Sequence, residues 1–345
     1  MMRRFALILL AFATTVLAVN LPCTPKVPKA AACSDASFAA ATAALRTAFQ
    51  QSEAQLSATA GRQMEADAAE WLAWTQRICP TGKAECLTPL YRAEEKTIAE
   101  GMVRAGGMQF YPRTEYRTAP DPAHTAGEPE HLPGDPGYGV GEFVWPQVDR
   151  PKERAARWNR AVRARVAALK RGSVAEGDAF EPSPLGGKHE WLSYRVTAAN
   201  ARLIEVTFTQ SIFPYGAAHP ATEKTQMNWW LPRGREVRAE DVFRPGSGWR
   251  PFLAGMSYEH LVEMSRRKEN PVRIFPEAES RPAAEKAALQ TGHWTLLRGG
   301  LCVTFPAYSV AAGFYGEPAI FIRWGQLRPY LAAGLDPETL PVPVR

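Results

Sequence analysis

Residues 189–213 read HEWLSYRVTAANARLIEVTFTQSIF, and this stretch decides the fold class of the chain. In both of its halves polar and apolar side chains alternate, and Ile204, Val206 and Phe208 fall on one side of the second half. A period of two residues is typical of a β-strand with one buried face. The stretch therefore predicts two strands of a sheet.

Helical patterns precede this pair of strands. Ser34 or Asp35 can cap a first helix, and residues 58–61, ATAG, separate it from a second one. A third helix follows Cys86. Apolar residues recur near helical spacing in all three: Phe38, Leu45, Phe49 and Leu56, then Met64, Ala68, Trp71, Leu72, Thr75 and Ile78, then Leu87, Leu90, Tyr91, Ile98 and Met102.

A fourth helix is predicted to begin at Pro151, because the fixed φ of proline suits a first helical turn. Its buried stripe is Trp158, Val162, Val166 and Leu169, and arginines take much of the remaining surface: Arg154, Arg157, Arg160, Arg163 and Arg165. Such a basic face is typical of a solvated surface.

Strands and helices continue to mix toward the C-terminus. We predict a helix near 249–268, a hairpin over 294–305 with two glycines at its turn, a strand over 319–324 and a closing helix over 326–334. Strands do not alternate regularly with crossover helices. The predicted class is therefore α+β, with a disulfide-bonded helical hairpin or bundle followed by a mixed domain with an antiparallel sheet.

The first twenty residues, MMRRFALILLAFATTVLAVN, have the pattern of a secretory signal peptide. The apolar run is too short to cross a membrane, since a spanning helix needs about 20 apolar residues. A lipoprotein cleavage site would need a small residue directly before Cys23, where Pro22 stands instead. We expect residues 1–18 to be removed after Ala18, and the mature protein to be periplasmic or secreted.

Four of the five cysteines lie in the N-terminal stretch, and in an oxidising compartment they indicate two disulfides, with Cys302 unpaired. Zinc is the rival interpretation, but the Cys-x-x-Cys spacing is missing. If the first two helices form an antiparallel hairpin, Cys33 pairs easily with Cys79. Cys23 then pairs with Cys86. Pairing of Cys23 with Cys33, and of Cys79 with Cys86, is the alternative.

Composition shifts to Gly, Pro, Asp and His between the two halves of the chain, as in DPAHTAGEPEHLPGDPGYGVG over 121–141. This indicates a linker or a long surface loop. The predicted division is a helical domain over 19–104, a linker over 105–140 and an α+β domain over 141–335.

No motif for catalysis, metal binding or cofactor binding is visible in the sequence. Six histidines are spread without a pair at ligand spacing, and Cys302 lies in an apolar strand where a thiol is normally inert. We therefore predict a protein that is not an enzyme and that has no cofactor and no metal. The formal charge of +6 falls to +4 without Arg3 and Arg4, and the scattered basic residues do not indicate a nucleic-acid partner.

The N-terminal half contains KAAACSDASFAAATAALRTAF (29–49), EADAAEWLAWTQRIC (65–79) and AECLTPLYRAEEKTI (84–98). These stretches resemble the LprI-type lysozyme-inhibitor domain. The residues that match the pattern of that family are Cys33, Trp71, Leu72, Cys79, Cys86, Tyr91 and Arg92. Alanines around 39–44 replace the Leu-Asp pair that is usual early in the first helix of the family.

The C-terminal half contains GAAHP (216–220), LPRGREVRAEDVFRPGSGW (231–249), RGGLCVTFPAYSVA (298–311) and IFIRWGQLRPYL (320–331). It resembles the extracellular domain of the anti-sigma factor RsiV, a lysozyme receptor, and VWPQVDRPKERAARWNRAV fits the helical start of that module. After Tyr308 this chain reads SVAAGFYGEP, where the family tends to have Pro-Tyr.

Both resemblances imply a lysozyme or another muramidase as the partner, with peptidoglycan as a second one. The function they imply is that of an exported envelope protein that binds, and could inhibit, such an enzyme and so protects peptidoglycan. The residues expected to contact the partner are Tyr215, His219, Tyr308, Phe314 and Tyr315, and the acidic residues expected to face a basic lysozyme are Glu236, Glu240 and Asp241. The alternative is a cell-wall binding or sensing module with Trp229, Trp230 and Trp249 as glycan-binding candidates.

The GAAHP stretch favours a turn between two strands. Gly216 allows a tight backbone, and Pro220 stiffens the exit. His219 is interpreted as a residue that holds this loop by hydrogen bonding rather than as a catalytic group.

Overall fold

The structure is a computed structural model, and it describes residues 20–23, 31–120, 138–171 and 187–344. The predicted signal peptide lies outside this part of the chain, as does the central part of the predicted linker. Within the described residues the class is α+β, as predicted.

Three helices open the fold and are followed by a sheet and a C-terminal layer. The N-terminal helices are α1 (Ala36–Glu53), α2 (Ala58–Ile78) and α3 (Ala84–Gly101). The next elements are β1 (Val103–Ala105), β2 (Met108–Pro120), β3 (Tyr138–Arg150), α4 (Lys152–Arg171), β4 (Lys188–Ala199), β5 (Leu203–Pro214), β6 (Ala221–Trp230) and β7 (Arg235–Glu236). The last are α5 (Ala239–Val242), α6 (Trp249–Ser265), α7 (Glu277–Ala288), β8 (Trp294–Leu297), β9 (Gly300–Thr304), β10 (Ala319–Arg323) and α8 (Trp324–Leu327).

The described residues form two sheets. The larger has the strand order β1-β2-β3-β4-β5-β6-β7 and is antiparallel except between β3 and β4, and the smaller has the antiparallel order β10-β9-β8. The stretch that decides the fold class forms β4 and β5, which pair with Val196 opposite Val206. Ile204 and Phe208 are buried with Val206, so the two predicted strands are confirmed.

Side-chain caps set the starts of the first two helices. The backbone N–H of Phe38 donates to the side chain of Asp35 at 2.9 Å, as the sequence predicts. Residues 58–61, expected to separate the helices, instead form the first turn of α2, with Ser57 as its N-cap. The backbone N–H of Ser57 also donates to Asp149 at 2.8 Å, which ties the start of α2 to the end of β3.

The N-terminal helices do not form the expected hairpin of α1 and α2. Instead α1 packs along α3, and α2 lies against β2. The ring of Tyr91 contacts Phe38 and Trp71 edge to face, with centroids 4.9 and 4.8 Å apart. Trp71 and Tyr91, on which the LprI resemblance partly depends, are therefore core residues.

This packing explains why the pairing of Cys33 with Cys79 is wrong. The disulfides join Cys23 to Cys33 and Cys79 to Cys86, which is the alternative pairing. The pairing of Cys33 with Cys79 assumed that α2 folds back on α1, but α2 packs against the sheet instead. Cys302 is the free cysteine, as predicted. Two disulfides are consistent with an extracellular or periplasmic protein.

The prediction of a linker over 105–140 is wrong for the described part of that range. Residues 108–120 form β2, and residues 138–140 begin β3. The two strands pair from Gln109 opposite Arg150 to Pro120 opposite Tyr138. The Gly- and Pro-rich composition is concentrated beyond 120, and averaging it over the whole range hid the strand pattern of 108–119.

α2 covers an edge of the larger sheet. β1 pairs with only the first residues of β2, and further along that edge the backbone N–H of Thr114 donates to Asp67 of α2 at 3.2 Å. Arg113 donates to the same carboxylate with two bonds of 2.5 and 2.9 Å. A free strand edge is a template for unwanted pairing, and a covering helix removes that hazard.

Most of the C-terminal predictions hold, because α6, the β8–β9 hairpin and β10 fall where the sequence predicts them. The closing helix expected over 326–334 is wrong in its bounds, since α8 ends at Leu327 and a 3-10 turn over Arg328–Tyr330 follows it. α5 and α7 are additional helices. The stripe of α4 is buried against the larger sheet. Among the residues described, no helix is both long and apolar enough to cross a membrane.

Candidate functional site

Two loops, one from the larger sheet and one from the C-terminal layer, bring predicted contact residues together. The first loop, 215–220, joins β5 to β6, and the second, 305–318, joins β9 to β10. His219 from the first lies beside Tyr308 from the second, with nearly parallel rings (14°) and centroids 6.3 Å apart. We call this pair and its two loops the 219/308 surface.

Tyr308 is the most exposed large apolar side chain in the described part of the chain, at 58%. Its φ of +62° lies in the left-handed region, which costs a non-glycine residue about 1–3 kcal/mol. The local turn is closed because the backbone N–H and the hydroxyl of Ser309 both donate to the carbonyl of Pro306, at 3.1 and 2.6 Å. The surrounding structure therefore holds the exposed tyrosine in place.

Gly313 forms the floor beneath the Tyr308 ring. A Cβ at position 313 would lie 2.1 Å from Cζ of that ring, so no other residue fits without displacing it. The sequence alone indicated neither the role of Gly313 nor the strained backbone of Tyr308. The only available signal was the SVAAGFYGEP stretch that departs from the RsiV-type pattern.

The second loop is tied to strand β6, which begins directly after the first loop. The backbone N–H of Lys224 in β6 donates to Glu317 at 3.1 Å, and the Lys224 ammonium lies 2.8 Å from the other oxygen of that carboxylate. The Glu317 side chain is only 5% exposed. The two ends of the second loop are joined, because the backbone N–H of Phe305 donates to the carbonyl of Pro318 at 2.8 Å. Its middle is held by the backbone N–H of Phe275, which donates to the carbonyl of Val310 at 2.8 Å.

His219 is exposed, and its ring Nδ1 lies 3.2 Å from the carbonyl oxygen of its neighbour Pro220. Gly216 has a φ of +85°, so the tight backbone predicted there is confirmed. The contacts of His219 are thus one within its own loop and the stacking contact with Tyr308.

Two other predicted contact residues, Tyr215 and Tyr315, do not share this exposure. Tyr215 is buried, and its hydroxyl donates to the carbonyl of Tyr138 at 3.1 Å. Tyr315 is half-buried and packs against the C-terminal core. The side chain of Phe314 lies outside the described part of the chain.

The tryptophans proposed for glycan binding are core residues, because Trp229, Trp230 and Trp249 are all buried. Within the core of the C-terminal layer, the rings of Phe243 and Trp249 are stacked with centroids 4.6 Å apart. No tryptophan face in this group is available to a sugar.

Two of the three residues of the expected acidic patch are paired closely with arginines, whereas the third, Glu240, is exposed and lies 3.8 Å from Arg238. Asp241 is buried and accepts from Arg235 at 2.6 and 2.8 Å, and Arg233 also contacts it. Glu236 pairs with Arg165 at 2.6 Å. These two carboxylates are therefore already neutralised by arginines, and they do not form an attractive surface for a basic partner.

Two buried carboxyl groups have perturbed pKa values. Burial raises the pKa of Glu94 to about 7, against the hydrogen bond that it accepts from Tyr116. Burial also raises the pKa of Glu205 well above its usual range, and its one hydrogen bond comes from the backbone N–H of Leu296. Both groups are enclosed by core side chains. Among the described residues, no cluster of three His, Cys, Asp or Glu side chains is placed to hold a metal ion.

Comparison with known proteins matches only the C-terminal part of the chain to a family. Residues 240–325 match the family described as "Protein of unknown function (DUF3298)", a range that includes Tyr308 and Gly313 but not His219. No curated protein matches the chain significantly.

Two solved structures are similar in fold. One is a DUF3298 family protein from Pseudomonas aeruginosa, with 15% identity, 68% of this chain and 97% of that chain covered, and a TM-score of 0.44. The other is a member of the same family from Bacteroides fragilis. It is 13% identical, the alignment covers 67% of this chain and 96% of that chain, and the TM-score is 0.44.

Proposed function

We propose that this protein is an exported binding protein that uses the 219/308 surface to contact a lysozyme or a related muramidase. The observation that carries the proposal is the exposed Tyr308 ring on a strained and braced loop. An exposed aromatic in a strained conformation requires a structure that maintains it, and such positions cluster at functional sites.

The geometry supports binding because the surface is preorganised. Gly313 leaves room for the Tyr308 ring, and Glu317 holds the second loop to β6, the strand that begins directly after the first loop. A loop that is already ordered loses little conformational freedom when a partner binds, so more of the contact energy appears as affinity. Tyrosine is also among the residues that dominate interface energies, at about 2 kcal/mol or more each.

The choice of partner is supported by the sequence resemblances and by the chemistry of the two side chains. A muramidase cleft presents a pair of carboxyl groups. The Tyr308 hydroxyl and the His219 ring N–H can donate hydrogen bonds to such carboxyl groups. Because the candidate acidic patch is paired with arginines, attraction between opposite net charges is not part of the proposal, and binding should depend weakly on salt.

We further propose that the chain does not itself hydrolyse peptidoglycan. In the alternative reading the protein binds cell-wall glycan. Since the tryptophans first considered for that role are buried, this reading would also have to use the Tyr308 ring as its sugar-stacking surface.

The test is calorimetric titration of the purified chain with several types of lysozyme, combined with a turbidity assay of peptidoglycan lysis. We expect binding to at least one lysozyme and no lysis by the chain alone. Tyr308→Ala should weaken binding by about 2 kcal/mol, or roughly 30-fold. The matched control is Phe321→Ala, which removes another exposed aromatic (44%) from β10 of the same layer and should change affinity less than about 3-fold.

Other outcomes separate the alternatives. Binding to purified glycan that is lost in Tyr308→Ala, without binding to any lysozyme, would replace the muramidase by the cell wall as the partner. Equal losses in Tyr308→Ala and Phe321→Ala would remove the 219/308 surface from the proposal.

A further inference from the structure

Helix α4 holds a disproportionate share of the charge of this protein. Its twenty residues contain eight lysines and arginines but one acidic residue, Glu153, whereas the whole chain has a formal net charge of +6. The rest of the chain is therefore close to neutral. The basic residues look scattered when the whole sequence is counted, but one element concentrates them.

The outer face of α4 forms a regular basic row. Trp158, Val162 and Val166 are buried against the sheet, while Arg157, Arg160 and Arg163 are exposed. These arginines follow each other at every third position, so about 4.5 Å of helix axis separates one from the next. Within the described residues none of them forms an ion pair with an acidic side chain.

Two other basic residues of the helix are paired with carboxylates, which distinguishes them from the row. Arg165 pairs with Glu236 at 2.6 Å, and Lys170 pairs with Glu115. Three further exposed residues of the helix are alanines, Ala156 before the row and Ala164 and Ala168 after it, and the exposed Glu153 lies one turn before Arg157. Small side chains beside the arginines let an extended surface approach the guanidinium groups closely.

The basic surface extends beyond the helix. Lys152 is exposed at its start, as is Arg150, although Arg150 also pairs with Asp149 at 3.2 Å. Toward the sheet edge, Arg157 lies over Gly234, where a Cβ would come within 2.9 Å of its Nη1. Arg233, the neighbour of Gly234, is 45% exposed, although it contacts Asp241.

We infer that the outer face of α4 is a docking surface for an anionic phospholipid membrane. The reason is charge complementarity with an extended surface: a row of separated guanidinium groups matches many headgroup phosphates rather than one small anion. The face carries no large apolar side chain, so the protein would lie on the headgroups without inserting. This inference is independent of the 219/308 surface.

A membrane fits better than nucleic acid, the other polyanion that a basic helix could bind. Two disulfides are typical of proteins in oxidising compartments outside the cytosol, where nucleic acid is rarely met but a membrane surface is adjacent. Each basic residue near an anionic bilayer contributes about 1 kcal/mol at moderate salt, so three together produce about a 100-fold effect.

The experiment is sedimentation of the purified chain with vesicles of phosphatidylglycerol and phosphatidylcholine, compared with pure phosphatidylcholine vesicles. We expect binding only when phosphatidylglycerol is present, and a loss of binding as salt is raised. R157Q/R160Q/R163Q should weaken it about 100-fold. R157K/R160K/R163K keeps the charge and should bind within about 3-fold of the parent chain.

The matched control is R266Q/R267Q/K268Q, which removes the same charge from exposed residues after α6 and should change binding less than about 3-fold. Equal losses in both glutamine triples would mean that net charge alone is responsible, and would overturn the inference. Absence of any phosphatidylglycerol-dependent binding would also overturn it, as would tighter binding to a DNA duplex than to the vesicles.

Discussion

The N-terminal helices and the 219/308 surface treat their aromatic side chains in opposite ways. In the helices, Trp71 and Tyr91 are buried in the core. At the 219/308 surface, Tyr308 is exposed and strained, while the buried Glu317 of the same loop holds that loop to β6. The residues that carry the LprI resemblance therefore reflect packing of the core, whereas the RsiV-like stretches include Tyr308, a side chain that can touch a partner.

This contrast leads to a general expectation. Changes in the helical region should alter stability and leave partner binding intact, and changes in the 219/308 surface should do the reverse. The predictions below test this separation, beginning with the largest expected effect.

Asp67→Ala should destabilise the fold by about 3–5 kcal/mol, because it leaves the largely buried Arg113 guanidinium without its partner and also removes the acceptor of the Thr114 amide. Urea unfolding measures this change. Glu85→Ala breaks an exposed ion pair with Lys83 and should cost less than about 0.5 kcal/mol. A small effect of Asp67→Ala would mean that α2 does not protect the edge of β2.

Glu94→Gln should remove a pH dependence of stability. Burial is the main cause that raises the pKa of Glu94 to about 7, and the nearby carboxylates Glu142 and Asp67 raise it further, while the Tyr116 hydroxyl opposes the shift. In the unfolded chain the pKa is about 4.3. The folded state therefore holds the proton more tightly, and stability decreases as pH rises from about 4.3 to 7 and then levels off.

The glutamine variant imitates the protonated form, so it should match the parent chain near pH 4 and exceed its stability by about 3 kcal/mol above pH 8. Urea unfolding at both pH values checks the prediction, with Glu95→Gln at the neighbouring, half-buried position as the control that should keep the parent profile. Parallel profiles for Glu94→Gln and the parent chain would show that Glu94 is ionised without penalty.

Gly313→Ala should weaken partner binding by about 2 kcal/mol, because the added Cβ would displace the Tyr308 ring. Stability should change by less than about 1 kcal/mol, since an exposed ring can move into solvent. Calorimetric titration with the lysozyme that binds the parent chain measures the first effect. Gly292→Ala, where a Cβ meets nothing within 4 Å, is the control. Unchanged affinity in Gly313→Ala would show that the ring position does not matter for binding.

Much of the fold was accessible from local patterns. The alternation in 189–213 identified β4 and β5, and Asp35 marked the start of α1. β2 and β3 were missed because prolines and glycines dominate the composition around them, although Pro112 and Pro146 lie opposite each other within the paired strands. The site was predicted in part: the sequence indicated Tyr308 and His219, but not Gly313 or Glu317, whose roles depend on the path of the folded loop and on its contact with β6.

By itself, the sequence determined the features that depend on neighbours along the chain. Side-chain periodicity, helix caps and turn glycines act within a few residues, so the α+β class, the main helices and the turn at Gly216 followed from it. Tertiary structure decided which helices pack together, and through that which cysteines pair. It also decided which aromatic residues are exposed, because burial depends on contacts between segments far apart in the chain, and those contacts left Trp249 in the core and Tyr308 at the surface.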